Sequence, residues 1–443
     1  MPHSTTVLPL WDAPHPTGPV DATVVVPASK SLTNRYLLLA AMADGPCRVR
    51  NALVSRDADL MVEALRALGA RIESVIGEHG VDLLVEPIDQ SRDLGEVAID
   101  CGLAGTVMRF VPPLAALANG IVSFDGDLHA RLRPMRPVID ALKDLGVALH
   151  ESGEPGQLPF TLTGTGALAG GRIELDSTES SQFISALLLI GARTLSGLEI
   201  ISTGDKVPSP DHIRMTVATL RELGVRVDDG TEGRWFVSPG PIRAFDLAME
   251  PDLSNAGPFL AAALATGGTI RIPHWPRETT QVGDAWRGIL ARMGADVELG
   301  EDSVLRVTGG AQIRGIEQDE SSELAPTLAA LCALATGESR LTGIAHLRGH
   351  ETDRLAALAA ELNALGGDVE ETADGLIIRP RPLKAGTFHS YADHRMATAG
   401  AIVGLAVPGI AVEDIATTAK TMPEFARLWE ELAATGGTKK ARG

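Results

Sequence analysis

The chain has 443 residues, a formal net charge of −18, 44% hydrophobic residues and only 4% aromatics. That length exceeds what one core usually supports, so two domains are expected, and the acidic balance excludes the dense basic face that nucleic acid or an anionic membrane would require. Cys47, Cys101 and Cys332 are widely separated and lack metal-ligand spacing, which argues against a disulfide framework or a zinc site.

The first dozen residues lack the basic start and apolar centre of a secretory leader, and no apolar run approaches the ~18 residues of a membrane span. A cytoplasmic protein is expected. Val24-Val25-Val26 predicts an extended approach to Pro27-Ala28-Ser29-Lys30-Ser31-Leu32-Thr33-Asn34-Arg35, where Ser29 or Ser31 can cap a helix whose buried stripe runs over 36–42. A helix start with two fixed cations, Lys30 and Arg35, suits a phosphate or carboxylate; a capped helix with two solvated basic residues fits the same pattern.

Further along, a helix ending in glycine and followed by a short strand-like run recurs six times, with its glycine at 69, 146, 224, 294, 366 and, more weakly, 436. A second helix type, Ala- and Leu-rich, starts near Ser31, Gly105, Ser181, Ser254, Glu323 and His394. Two markers sharing a period of 70–78 residues predict six βαβαββ units, α/β in class. Strands are expected at 81–85, 97–100, 172–175, 198–201, 269–272, 304–307 and 376–379. Six units divide into two groups of three, with seams near Ala28 and Glu250: residues 29–250 as one domain, and 1–28 with 251–443 as a discontinuous second. The glycine-rich tail from Gly436 is expected to fray.

The second set of helix starts carries Lys30-Ser31, Gly105-Thr106, Ser180-Ser181-Gln182, Ser254-Asn255, Glu323 and Asp393-His394-Arg395. Turned into one cleft, six such ends would give an acidic protein a local positive field. Arg131, Arg136, Arg354 and Lys420 would add to it in a chain with only seven lysines, and the arginine fork matches carboxylate or phosphate. Gly102-Leu103-Ala104-Gly105-Thr106 is not an NTPase loop and reads first as a strand-to-helix turn. Glu323 and Glu351 are acid/base candidates, or ordinary helix N-terminal acids; His350 and His394 can equally be capping or core histidines.

Seven motifs in order carry a resemblance. They are Ser29 through Arg35, Leu103-Ala104-Gly105-Thr106 with Arg109, Arg131 through Pro137, Ser180-Ser181-Gln182-Phe183, Glu351-Thr352-Asp353-Arg354, Asp393-His394-Arg395-Met396 and Ala419-Lys420-Thr421. Together they resemble the 5-enolpyruvylshikimate-3-phosphate synthase family, a branch of the enolpyruvyl transferases, over nearly the whole chain. The resemblance implies a two-domain inside-out α/β barrel with three units per domain, an interdomain active site, and transfer of the enolpyruvyl group of phosphoenolpyruvate to the 5-hydroxyl of shikimate 3-phosphate. It also implies Lys30, Ser31, Arg35, Ser180, Ser181, Gln182, Ser209, Glu323 and His350 as shikimate 3-phosphate ligands, and Lys30, Gly105, Arg131, Gln182, Arg354, Arg395 and Lys420 as phosphoenolpyruvate ligands. Glu323 would be the base, and Glu351 and Lys30 candidate proton donors. No cofactor or metal is implied, glyphosate would compete with phosphoenolpyruvate, and a monomer is expected.

Three positions depart from the family pattern: His350 stands where lysine is usual, Glu323 where aspartate is, and His212 where tyrosine is common. The nearest rival, UDP-N-acetylglucosamine enolpyruvyl transferase, normally carries a reactive cysteine before the Arg-Pro pair. No cysteine lies between Cys101 and Cys332 in this chain. A non-catalytic repeat clamp for an acidic or RNA ligand is the other alternative, disfavoured by charge and by the convergence of seven motifs.

Overall fold

The computed structural model describes residues 8–204 and 207–437; most of the tail expected to fray lies outside them. Its α-helices are α1 (Lys30–Ala40), α2 (Arg56–Ala67), α3 (Gly105–Ala116), α4 (Arg136–Asp144), α5 (Gln182–Gly191), α6 (Pro210–Glu222), α7 (Leu253–Thr266), α8 (Trp286–Arg292), α9 (Ala325–Ala333), α10 (Arg354–Ala364), α11 (His394–Ala406) and α12 (Phe425–Thr435). They alternate in kind. The odd-numbered helices are buried on nearly every side, as α5 illustrates: Gln-Phe-Ile-Ser-Ala-Leu-Leu-Leu-Ile-Gly carries no charge, and nine of its ten residues are buried. Even-numbered helices are one-sided. In α2, Ala58, Met61, Val62 and Leu65 are buried, the i, i+3, i+4, i+7 stripe of a helix with one wet face.

By its contacts the chain divides into two compact units, one running from Ala28 to Glu250, the other joining the chain up to Pro27 with the chain from Pro251 onward. Each has its own apolar core. In the first, α1, α3 and α5 pack on one another, and in the second α7, α9 and α11 do the same. Helices occupy the centre and sheets lie outside them, which is why the central helices tolerate no charged face. Leu37, Leu38 and Leu39 are fully buried together, each contributing about 1.5–3 kcal/mol.

The sheets repeat one pattern. In the unit made of Asp93–Asp100, α3, Asn119–Asp125, α4, Ala148–Glu151 and Phe160–Thr165, the first two strands are parallel and the fourth lies antiparallel between the second and third. The units beginning at Gly171–Leu175 and Glu317–Asp319 repeat it in full. Elsewhere the repeat is completed across the sequence. The sheet around α1 takes its first strand from Asp246–Ala248, paired in parallel with Cys47–Arg50. The sheet around α7 takes its first strand from Asp21–Thr23, paired with Thr269–Ile272. The last sheet has three strands, and Leu10–Asp12 lies antiparallel on Ile410–Glu413. Strand exchange of this kind ties the two ends of each unit together.

The expected strands at 269–272 and 376–379 occur as Thr269–Ile272 and Leu376–Arg379. Val24-Val25-Val26, expected as an extended approach to the first helix, continues from strand Asp21–Thr23, with Val24 and Val26 buried and Val25 exposed and Val24 N–H donating to Arg271 O at 2.9 Å. The repeating glycines close the outer helices. Gly69 N–H donates to Arg66 O and Ala70 N–H to Leu65 O, and the same pair of bonds recurs at Gly146, Gly224, Gly294 and Gly366. All five are left-handed, with φ from 84° to 107°, the Schellman termination that glycine adopts without strain. The weak last copy shifts by one residue: Gly437 has φ 81°, whereas Gly436 has φ −80°.

Candidate functional site

In the unit 28–250 the predicted residues sit where α1, α3 and α5 begin. Ser29 caps α1, its Oγ accepting from Leu32 N–H, which leaves Lys30 and Ser31 as the first two helical residues. Lys30 Nζ lies 3.3 Å from Asp57 Oδ2, and the aspartate side chain is 2% exposed against 22% for the lysine. The three helix starts are knitted together: Asn34 Nδ2 of α1 donates to Thr106 Oγ1 of α3 at 2.6 Å, and Arg109 of α3 donates to Gln182 Oε1 of α5 at 2.8 Å. Ser180 Oγ accepts from Gln182 N–H at 3.3 Å, and Ser181 is buried beside it.

Arg35 is enclosed in the same region. It donates to Thr216 Oγ1 at 2.8 Å, Ser31 O at 3.0 Å and His212 O at 3.1 Å, and its guanidinium lies over the Phe110 ring. Ser209 is the N-cap residue of α6, held at φ 48°, one turn before that His212 carbonyl.

Gly105 opens α3. A Cβ there would come within 2.9 Å of Arg133 Nη2 and 3.2 Å of Gln182 Oε1. Arg133, which the sequence reading passed over, is therefore the arginine beside Gly105; it is buried and donates to Leu103 O at 3.2 Å. Arg131 sits differently. Its fork pairs with both carboxylate oxygens of Asp125 at 2.9 and 2.7 Å, and its side chain is 43% exposed. That bond holds the Asp125 carboxyl below its usual range. No sequence signal separates the two: the 3₁₀ turn at Ala130–Leu132 leaves Arg131 partly exposed and Arg133 buried.

In the other unit the predicted residues form a denser cluster. Arg354, the first residue of α10, is buried and donates through Nε to Asp393 Oδ2 at 2.7 Å and through Nη2 to Asp393 Oδ1 at 3.2 Å. Its Nη2 also reaches Glu351 Oε2 at 2.9 Å. Burial opposes the charge on Arg354, but Asp393 and Glu351 outweigh it and raise its pKa. Lys420, at the end of the 3₁₀ turn Ile415–Lys420, pairs with Glu351 Oε1, and both side chains are under 10% exposed. Glu351 thus lies between two fixed cations. His350 Nδ1 is 3.4 Å from Arg354 Nη1.

Asp393 serves two helices at once, pairing with Arg354 of α10 and capping α11 through Arg395 N–H at 2.8 Å. Glu323, expected as a helix start, stands in the 3₁₀ turn Ser322–Leu324 that leads into α9. Its carboxylate accepts from Ser254 Oγ at 3.0 Å and Ser322 Oγ at 3.1 Å. Sequence reasoning also missed Asp57 and Asp393 as counter-charges, because a buried acid is identified by the cation it faces.

The cysteines are poor nucleophiles. All three are buried; desolvation pushes the Cys101 thiol well above its ordinary value and the Cys332 thiol up to about 12. Among the described residues no group of three or more His, Cys, Asp or Glu side chains is placed to hold a metal ion, and no helix is long and apolar enough to cross a membrane.

A 3-phosphoshikimate 1-carboxyvinyltransferase from Kocuria rhizophila is 58% identical over 435 residues, covering 97% of each chain. Solved structures share the fold. EPSP synthase from Acinetobacter baumannii superposes with a TM-score of 0.77 at 25% identity, covering 95% of this chain and 97% of that one. The enolpyruvyl transferase NikO from Streptomyces tendae superposes with a TM-score of 0.73 at 20% identity, covering 96% and 98%. The family model described as EPSP synthase (3-phosphoshikimate 1-carboxyvinyltransferase) matches residues 14–429, and the chain belongs to that family.

Proposed function

We propose that this chain transfers the enolpyruvyl group of phosphoenolpyruvate to the 5-hydroxyl of shikimate 3-phosphate, releasing phosphate, on the shikimate route to chorismate and the aromatic amino acids. The observation that carries the reading is the buried set Glu351, Arg354, Asp393 and Lys420, gathered where α10 and α11 begin and the 3₁₀ turn Ile415–Lys420 ends, in a chain of this family. A desolvated carboxylate between two fixed cations suits a doubly anionic ligand, because arriving anionic groups take over cation contacts that the carboxylate now fills.

In this reading Arg354, Arg395 and Lys420 hold phosphoenolpyruvate from one unit, while Lys30, Gly105 and Gln182 meet it from the other. Arg133 joins them, because its fork is at Gly105 whereas that of Arg131 is on Asp125. Shikimate 3-phosphate falls to Ser31, Arg35, Ser180, Ser181, Gln182, Ser209, Lys30, Glu323 and His350. The active site is shared by the two units and completed when they close around both substrates.

The chemistry needs one acid and one base. Protonation of the methylene carbon by Glu351 or Lys30 leaves the neighbouring carbon cationic. The 5-hydroxyl bonds to that carbon as Glu323 takes its proton; phosphate then departs, and loss of a methyl proton restores the double bond. The two serine hydroxyls on Glu323 hold its carboxylate in one orientation. The enzyme works as a cytoplasmic monomer.

Phosphate release from phosphoenolpyruvate with shikimate 3-phosphate, run beside UDP-N-acetylglucosamine, tests the assignment. Turnover with shikimate 3-phosphate alone is expected. Turnover with only the nucleotide sugar would overturn it, and the burial of Cys101 and Cys332 already weighs against a thiol-dependent transferase.

A further inference from the structure

Helix α10 carries two buried charged groups on one face. Arg354 is its first residue and Glu361 follows seven later, two turns along the same side and about 10 Å away. The Glu361 side chain is 5% exposed, and among the described residues its side-chain hydrogen-bond partners come from one short segment. Its Oε2 accepts from His389 N–H at 2.8 Å and His389 Nδ1 at 3.0 Å, and its Oε1 from the Tyr391 hydroxyl at 2.6 Å. The contact assigns the imidazole proton to Nδ1, with the carboxylate oxygen as acceptor.

The other end of that segment is Asp393, gripped by Arg354. Residues 389–393 are thus clamped at both ends by one face of one helix. Between the clamps Tyr391 and Ala392 both have φ 55°, a left-handed conformation that side-chain-bearing residues rarely hold twice in succession without outside support. Ser390 is fully buried, and its carbonyl accepts from Asp393 N–H at 2.9 Å. The segment delivers the cap of α11, and with it Arg395.

We propose that Glu361 is a positioning residue for the phosphoenolpyruvate half of the reaction: by holding His389 and Tyr391 it fixes the strained segment 389–393, and so sets where Asp393 aims Arg354 and where α11 presents Arg395. The inference rests on the function proposed above. Glu361 itself touches no substrate. A residue that merely filled the core would not need three converging donors from one segment.

The test compares Glu361→Leu, Glu361→Gln and Tyr391→Phe with wild type in the phosphate-release assay. Leucine removes every acceptor, and the KM for phosphoenolpyruvate is expected to rise about tenfold while that for shikimate 3-phosphate stays within about twofold. Glutamine keeps an acceptor for His389 N–H and can donate to the phenol oxygen, so it should restore that KM to within about threefold of wild type. Tyr391→Phe removes one bond at a partly exposed side chain, and a rise of about threefold is expected; it decides the matter if the leucine variant does not fold. An unchanged KM in the folded leucine variant, a loss confined to kcat, or equal losses with leucine and glutamine would overturn the inference, as would no effect of Tyr391→Phe. An inactive wild type would instead overturn the proposed function, which keeps the two failures distinct.

Discussion

Gly105→Ala separates stability from ligand binding in a single substitution. The new Cβ would stand 2.9 Å from Arg133 Nη2 and 3.1 Å from Nη1, where ordinary contact begins at 3.4 Å, so the fork must retreat by about half an ångström. Its bond to Leu103 O, already 3.2 Å long, would lengthen, and the guanidinium would no longer point where the proposed ligand sits. Losing one charge-assisted hydrogen bond costs about 1.5–3 kcal/mol, which is about 10- to 150-fold in affinity. Folding should hardly change, because Gly105 opens a helix with ordinary φ and alanine gains up to ~1 kcal/mol of helix propensity, offsetting the crowding. The assay is initial-rate phosphate release against phosphoenolpyruvate at saturating shikimate 3-phosphate, with and without glyphosate, beside thermal melting. We expect a KM for phosphoenolpyruvate raised at least about tenfold, weaker inhibition by glyphosate and a melting temperature near wild type. An unchanged KM together with unchanged inhibition would refute the placement of the ligand beside Gly105 and Arg133.

Other substitutions probe the same account. Lys30→Met is expected to lower kcat by about a thousandfold or more while the protein still melts cooperatively, since Asp57, left without its partner, lies in the first turn of α2 where the helix dipole favours an acid; a near-normal rate would remove Lys30 from the chemistry. Asp393→Ala should destabilise the protein by about 3–5 kcal/mol, because it strands a buried guanidinium and uncaps α11; denaturant titration showing under about 1 kcal/mol would mean that Arg354 finds another partner. The carboxyls of Asp82, Asp125, Asp176 and Glu151 are held below their usual range, chiefly by hydrogen bonds from Asn51 N–H, Arg131, Thr178 N–H and Lys143 respectively. The unfolded chain therefore binds protons before the native one, so this stabilisation is complete above about pH 5 and is lost as pH falls through about 4 and below. Midpoints from urea melts that stay constant down to pH 3 would contradict it.

The repeat was legible because two independent signals marked it: glycines that must be left-handed, as at Gly69 and Gly366, and helices without a wet face, as α5. The way the repeats close was not legible. Strands such as Asp246–Ala248 and Asp21–Thr23 are three residues long with exposed acidic ends, so neither alternation nor propensity distinguishes them from loop, and their partners lie far away in sequence.

Among the residues proposed for the site, those that pattern could single out stand at helix starts, Lys30, Gly105, Gln182, Arg354 and Arg395. Spacing fixes where a helix begins. It does not fix which of two arginines two residues apart turns inward, and Arg133 emerged only from its burial and its closeness to Gly105. Glu361 was hidden for a related reason. On a one-sided helix an acid reads as solvated, and only the donors of 389–391 explain why this one is buried.

The most direct test of the central claim is a crystal structure with shikimate 3-phosphate and glyphosate bound together. The account predicts that side chains from both units touch the ligands, with Lys30 and Arg133 from 28–250 and Arg354, Arg395 and Lys420 from the other. Ligands held by one unit alone, with Glu351 still bonded to Arg354 and Lys420 and no ligand near them, would contradict it.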